Sequence, residues 1–426
     1  MKLTVLKNGR IIDPATRRDE SGDLWMADGL VAAAMAEIPA DADVIDCQGK
    51  WIVPGLIDLH VHLREPGQEY KETIASGTLA AAAGGFTAVA CMPNTRPVND
   101  NAAVTRAIAD KAAGCLARVW PVGAASLGSE GKGLAEYAAM KEAGIVAVTD
   151  DGRPVADSQL MRRALEYADS HGLPLMSHAE EMSLSQNGCM HEGLVSTRLG
   201  LRGIPAAAES VMVYRDAALA ELTGARLHIC HVSCEASLAV IRLAKARGVK
   251  ITAETAPHYF TLTDEAVAGY DTNAKMSPPL RSEADREAIR AALADGTLDA
   301  IATDHAPHSI LEKELEFNLA ANGIIGLETA LPLGLALVRN GLISPLRLIE
   351  LMSINPARII GVAGGSLAVG AVADVTVIDP ESRFVFDTAA NHSKSGNSPF
   401  LGWQLQGQAT RTYLAGRLVW QLQSWC

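Results

Sequence analysis

The seven residues Leu56-Ile57-Asp58-Leu59-His60-Val61-His62 form a short apolar run closed by two histidines, and their reading decides the fold. Residues two apart on a strand project to the same side, so His60 and His62 aim both imidazoles at one point. Seven further short apolar runs follow, at 86–91, 117–122, 145–149, 173–178, 227–231, 250–254 and 299–303. Alanine-rich helical stretches lie between them, among them 101–113, 155–170, 206–223, 234–248 and 283–295. Strand and helix in alternation imply parallel strands joined by crossover helices. Eight such units over about 300 residues fit a closed (β/α)8 TIM-like barrel better than an open sheet.

The two ends of the chain read differently. Leu3-Thr4-Val5-Leu6, the turn signal Asn8-Gly9 and Arg10-Ile11-Ile12 make a hairpin pattern, continued by 24–26, 30–32 and 44–47. Residues 374–379 and 412–419 are similar. Neither end has enough strand for a domain of its own, so pairing them into one small β-sandwich would bury both. The expected organisation is α/β: residues 1–53 and 365–426 form the small β domain, and 54–364 form the barrel.

Composition narrows the function. The chain has 426 residues with 37 basic and 49 acidic side chains, a formal charge of −12, which argues against nucleic acid or an anionic membrane as partner. At 48% hydrophobic and 20% charged it has the balance of an ordinary globular protein, not of a disordered one. Charge interrupts the first ten residues before a signal-peptide apolar region forms, and no run of about 18 uncharged apolar residues exists to cross a membrane. Seven scattered cysteines read as reduced thiols in the cytoplasm; Cys230 and Cys234 lack the second pair a zinc finger needs.

In a barrel the carboxyl ends of the strands converge on one mouth. That places His60 and His62 (first run), Asp150 and Asp151 (after the fourth), His178 (fifth), His231 (sixth) and Asp304 (after the eighth) together. Imidazole and carboxylate are the ligands zinc takes in catalytic sites. Four histidines and two carboxylates exceed what one tetrahedral ion needs, which suggests two metals roughly 3.5–4 Å apart. A lone His-x-His is more often structural and a lone strand-end Asp is usually a helix N-cap. The joint placement at five strand ends carries the metal reading. His171, His191, His228 and His392 read as surface or satisfied residues, and His258 as positioning.

Other residues suggest the substrate. Arg64, two beyond His62, could hold a carboxylate bidentately. Asn94, in Met92-Pro93-Asn94-Thr95, reaches the mouth and could hydrogen-bond an amide, and His308 lies close enough to Asp304 to line the same pocket. The glycine-rich stretch 128–133 lacks the P-loop spacing and reads as a flexible loop.

The segment Asp58-Leu59-His60-Val61-His62-Leu63-Arg64-Glu65-Pro66-Gly67, with Thr303-Asp304-His305-Ala306-Pro307-His308 and Lys313 five residues on, resembles the two signature segments of dihydroorotases. More narrowly the chain is similar to the long bacterial (class I) form within the amidohydrolase superfamily. Gly84-Gly85-Phe86-Thr87, Asp150-Asp151-Gly152, His178-Ala179-Glu180-Glu181, His231-Val232-Ser233 and Gly326-Leu327-Glu328-Thr329 fall in the family order. The resemblance implies metal ligands at His60, His62, Asp151, His178, His231 and Asp304, holding one or two zinc ions per subunit. It implies Asp304 as the catalytic proton carrier. Substrate contacts would come from Arg64, Asn94, His308, Ser277 and the backbone around Asn322-Gly323. Ser277 stands where the family usually has Asn, and Ala320-Ala321-Asn322-Gly323 replaces Ala-Pro-Phe-Gly. The implied reaction is the reversible cyclisation of N-carbamoyl-L-aspartate to L-dihydroorotate in pyrimidine synthesis. The implied assembly is a homodimer, or a complex with aspartate transcarbamoylase. Rivals are another cyclic amidohydrolase (hydantoinase, dihydropyrimidinase or allantoinase), which typically has a carboxylated lysine after the fourth strand, or an inactive scaffold homologue, which would have lost ligands.

Overall fold

A computed structural model describes residues 3–422, so Cys426 lies outside the described residues; the other six cysteines form no disulfide. Each of the eight apolar runs carries a parallel strand: Leu56–Val61, Phe86–Cys91, Arg118–Pro121 with Gly123–Ala124, Val148–Thr149, Leu175–Ser177, Leu227–Ile229, Ile251–Thr255 and Ala300–Ile301. Neighbours in sequence are neighbours in space. The strands fall into two ladders of three and six, and the run 118–124 contributes to both because it breaks at Val122. At the opposite edge Val61 bridges His305 in parallel, and Asp58 accepts the Thr303 N–H at 3.1 Å.

The helices follow from local chemistry. Ser158–Ser170 starts where the Asp157 carboxylate accepts the Leu160 N–H at 2.7 Å. It buries Met161, Ala164, Leu165 and Ala168, the i, i+3, i+4, i+7 stripe that faces a sheet. Glu283–Asp295 opens with a Ser282/Asp285 capping box and stops at Gly296, whose φ of 85° is left-handed. Leu59, Ala90, Val122, Ala147, Met176, Cys230 and Ala302, one or more from most of the parallel strands, form an apolar plug together with Ile359 and Ile360. That plug gives the strand ends a packed base.

Both chain ends do enter one sheet, of eight mixed strands: Thr4–Asp13, Arg18–Ala27, Leu30–Ala32, Asp43–Asp46 and Trp51–Pro54 with Val375–Phe386, Trp403–Leu414 and Arg417–Gln421. The expected hairpin at Asn8-Gly9 is not there. Residues 4–13 are one strand, with a bulge between Leu6 and Gly9, and the hairpin turns later, pairing Asp13 with Arg18. Asn8, at φ 60°, uses its left-handed backbone for the bulge instead of a turn, and Gly9 leaves room for the Ile52 side chain, which a Cβ would meet at 2.4 Å. Among the described residues no helix is long and apolar enough to cross a membrane.

Candidate metal centre and active-site cavity

The structure brings all six expected donors to the carboxyl ends of the parallel strands. His60 lies on Leu56–Val61, and His62 one residue past it, its N–H donating to the His305 carbonyl at 2.9 Å. Asp151, His178, His231 and Asp304 sit in the first residues after their own strands. His231 and Asp304 have left-handed backbones, with φ of 35° and 47°. Such conformations cost about 1–3 kcal/mol each in a non-glycine residue and concentrate at functional sites.

Asp151 is the hub. Its Oδ1 lies 3.3 Å from His60 Nε2, 3.6 Å from His178 Nδ1 and 3.7 Å from His231 Nε2, and its Oδ2 lies 3.5 Å from His62 Nε2. Asp304 Oδ1 is 3.1 Å from His62 Nε2 and 3.5 Å from His60 Nε2. Asp150 turns away: it accepts the Ser126 N–H at 2.9 Å and the Ser126 hydroxyl. The alternation rule could not choose between the two aspartates, because the strand ends at Thr149 and a turn follows.

Three histidines are oriented from behind. Glu254 Oε1 accepts from His60 Nδ1 at 3.1 Å, Asn94 Oδ1 from His62 Nδ1 at 2.9 Å, and Glu180 Oε2 from His178 Nε2 at 3.1 Å. Each bond directs the other ring nitrogen at the cluster, as metal-ligating histidines require. His60 Nε2 is buried without a hydrogen-bond partner. Within the trios His60–His62–Asp151, His60–His231–Asp304 and Asp151–His178–His231, ligand atoms lie within 4.8 Å of one another. Imidazole and carboxylate ligand atoms packed this closely, in three overlapping trios, fit a metal. A fourth trio, His60–Cys230–Glu254, lies behind the centre, where Glu254 already accepts from His60 Nδ1, the ring nitrogen that faces away from the cluster.

Charge is balanced inside the cluster. Burial opposes ionisation of Asp304, but the His60 charge and the His62 hydrogen bond outweigh it and hold the carboxyl down to about 2. Asp151 is likewise held well below the carboxylate range by His60, His178 and His231. Burial works against a charge on His178, yet bonds to Asp151 and Glu180 raise it to about 10. His62 goes the other way, lowered by burial and by Arg64.

A cavity of about 450 Å³ opens onto the cluster, and its wall includes Arg64, Asn94, Ser277, His308 and Asn322. The strand ends before Arg64, so the same-face argument does not place it there; Arg64 reaches the wall from a left-handed backbone at φ 59°. Its Nε donates to the Pro307 carbonyl at 3.1 Å, and its Nη2 lies 3.3 Å from His308 Nε2. Lys71 Nζ is 3.4 Å from the other nitrogen of that ring. Burial, then Arg64 and Lys71, push His308 down to about 3, so the ring is neutral. The Gly323 N–H donates to the Lys275 carbonyl at 2.9 Å, and its carbonyl accepts from Lys313 and Asn397.

Sequence reasoning missed Glu254 and Glu180. The signal was there for Glu254, a lone acid in a strand that is otherwise apolar or small. His228 is a buried core residue: its Nδ1 pairs with Thr252 Oγ1 at 2.8 Å, and its Nε2 lies 3.1 Å from Glu254 Oε2 in an ion-pair contact, not an aligned hydrogen bond. His258 is buried against Tyr259 and belongs to none of the metal trios. The 128–133 loop is tied down by Gly128 N–H to Asp100 and Gly131 N–H to Ser126, both at 2.8 Å. A larger hollow of about 520 Å³, between the helix Ala330–Arg339 and the mixed sheet, has the His392–Glu328 pair as its polar wall and lies apart from the cluster.

Residues 49–237 match the Dihydro-orotase-like family. A dihydroorotase of Desulfotalea psychrophila is 65% identical over 414 residues, which cover 97% of this chain and 98% of that protein. The chain belongs to the dihydroorotase family. A second relative, the dihydroorotase of Syntrophotalea carbinolica, is 57% identical over 424 residues, covering 99% of this chain and 100% of its own. Among solved structures, an L-hydantoinase (dihydropyrimidinase) from Arthrobacter aurescens superposes with a TM-score of 0.89 at 24% identity, over 99% of this chain and 96% of that one. A D-hydantoinase from a Thermus species gives 0.84 at 25%, over 98% and 96%. The L-hydantoinase likeness is one of fold alone. Family membership implies a metal, and the three trios of the centre are where this dihydroorotase-family chain could hold it.

Proposed function

We propose that the protein is a zinc-dependent dihydroorotase, interconverting N-carbamoyl-L-aspartate and L-dihydroorotate in the cytoplasm. The observation that carries the reading is the six-donor cluster opening on a cavity walled by Arg64 and His308, in a chain 65% identical to a named dihydroorotase. His60, His62, Asp151, His178, His231 and Asp304 would hold one or two zinc ions. Such ions, when bound, polarise the amide carbonyl and make a water more acidic.

The chain's own groups do the rest. Asp304 is ionised and 3.1 Å from His62, placed to take a proton from the attacking water and return it to the leaving ring nitrogen. In closure the same carboxylate removes the ureido proton. Arg64 spends two of its five donors on Pro307 and His308, and the rest of its fork grips the substrate's side carboxylate. Asn94 and neutral His308 flank that carboxylate, which fixes the carbonyl to be attacked. Ser277 reaches the substrate through water, and the backbone at Asn322-Gly323 covers the ring.

The two parallel ladders are best read as one closed (β/α)8 barrel over 54–364, supported by the shared run 118–124 and the Val61–His305 bridge. The sheet of 1–53 and 365–426 is read as a small β-sandwich domain, supported by its separate core around Leu6, Ile52 and Val375. A homodimer, or a complex with aspartate transcarbamoylase, goes with this reading and is tested by sedimentation. The deciding assay is dihydroorotate hydrolysis with and without chelator, alongside metal analysis and hydantoin as rival substrate. Hydantoin turnover without dihydroorotate turnover would reverse the reading.

A further inference from the structure

Lys313 belongs to the second signature segment, yet no step above uses it. It and Lys275 are each 4% exposed. The hydrogen-bond partners of both ammonium groups are backbone carbonyls: Lys275 Nζ donates to Ala320 at 2.6 Å and Asn318 at 3.2 Å, and Lys313 Nζ to Ala321 at 2.8 Å and Gly323 at 3.1 Å. Four carbonyls of the segment 318–323 are therefore gathered by two cations. Lys275 also lies 5.5 Å over the Phe317 ring.

The segment is coupled to the cavity wall. Asn397 Nδ2 donates to the Gly323 and Ala306 carbonyls at 3.0 Å each, and its Oδ1 accepts the His308 N–H at 3.0 Å. A Cβ on Gly323 would stand 2.7 Å from His308 Cδ2, so the backbone is pressed against that ring. Asn322 lies on the wall beside Ser277, two residues after Lys275. Burial, then the charge of Lys275, push Lys313 down to about 7, a sign of how costly the pair is. Apolar side chains of similar length would fill this space but would leave those four carbonyls without donors, so it is the segment's backbone that calls for the two lysines.

We propose that Lys275 and Lys313 are positioning residues for the substrate: they gather the 318–323 carbonyls so that Asn322 and His308 keep their places on the wall. The substrate half of this rests on the dihydroorotase reading.

The test uses the full-length, metal-loaded protein as parent, Lys313→Met, Lys275→Met and Lys313→Gln. Amide hydrogen exchange over 314–325 should rise at least about tenfold in the Met variants as the segment opens locally. KM for dihydroorotate should rise on the order of tenfold, the loss of a charge-assisted hydrogen bond, while kcat stays within about threefold. Metal content should stay at the parent level. Lys313→Gln, which keeps an N–H donor, should restore most of the exchange protection and with it most of the KM. Unchanged exchange would overturn the clamp, and so would kcat and metal content falling together with affinity. A parent inert on dihydroorotate would refute the functional reading and with it the substrate half, while the exchange data would still decide the clamp. If Lys313→Met does not fold, the other two variants decide.

Discussion

Replacing Glu254 tests whether the histidine cluster is held from behind. Glu254 is fully buried, with one oxygen 3.1 Å from His60 Nδ1 and the other 3.1 Å from His228 Nε2. Burial alone would raise its pKa, but the bonds from His228 and His60 bring it to about 2, so it is a carboxylate at neutral pH. A glutamine can keep its carbonyl on His60 and turn its amide to His228. His228 can accept that N–H by moving its proton to Nδ1, where Thr252 Oγ1 waits at 2.8 Å. The bond to His60 then survives, and only the charge behind it is lost. Loss of such outer partners costs about 10–100-fold in metal affinity. The surviving bonds put Glu254→Gln at the low end, roughly tenfold or about 1.4 kcal/mol. Glu254→Ala removes the bond as well and strands two imidazole N–H groups, which puts it near the upper end, roughly 100-fold. Zinc competition against a chromophoric chelator measures both. If both variants bind zinc within twofold of the parent, His60 does not depend on Glu254 and the argument fails.

Asp304→Asn should keep the fold and lose kcat for dihydroorotate on the order of 10³-fold or more, since an amide cannot carry the proton; near-parent turnover would remove it from the role. Arg64→Ala should raise KM for carbamoyl aspartate roughly tenfold or more with a smaller change in kcat, because a charge pair to the substrate is lost; steady-state kinetics with unchanged KM would place Arg64 outside the substrate site. Without metal His178 is held up at about 10, so it is protonated at pH 7 and must lose that proton to bind. Zinc affinity should therefore rise with pH through neutrality, and calorimetry in buffers of different ionisation heat should show proton release. Buffer-independent heats would contradict the assignment of His178.

The parallel-strand region was legible because strands buried on both faces leave continuous apolar runs, and all eight runs carry strands. The histidines were legible for a related reason: a polar residue ending such a run has nowhere to go but the mouth. What alternation alone left open lay past a strand end or in a turn. Asp150 and Asp151 lie in a turn, where period-two alternation has no meaning, and a Ser126 hydroxyl settled which one turned away. Asn8-Gly9 carries the signal of a two-residue turn, but the same positive-φ backbone serves a bulge, and only the pairing of Ile12 with Asp19 tells the two apart. The Gly323 N–H and carbonyl are taken by the 275 and 313 lysines and Asn397. Those partners lie 10 to 74 residues away, beyond the reach of local patterning.

The donor cluster draws on strand ends from both ladders, and the contact between the first and last strands shows how it is kept in register. That edge has little ladder: Val61 bridges His305, and His62 N–H reaches the His305 carbonyl. The Asp58 carboxylate supplies what the ladder does not, accepting the His60 N–H and the Thr303 N–H at 3.1 Å each. One buried side chain thus ties the backbone of one donor, His60, to the residue before another, Asp304. Burial pushes Asp58 up to about 7 despite those bonds, so the tie is made at an electrostatic cost. Asp304 is left-handed one residue after the tied Thr303, a conformation that a free loop would relax. The apolar plug beneath and the Asp58 tie beside it together hold Asp304 within 3.5 Å of both His60 and His62. On this view Asp58, the acid of the opening seven residues, belongs to the scaffold of the centre, and its neighbours His60 and His62 belong to the donor cluster itself.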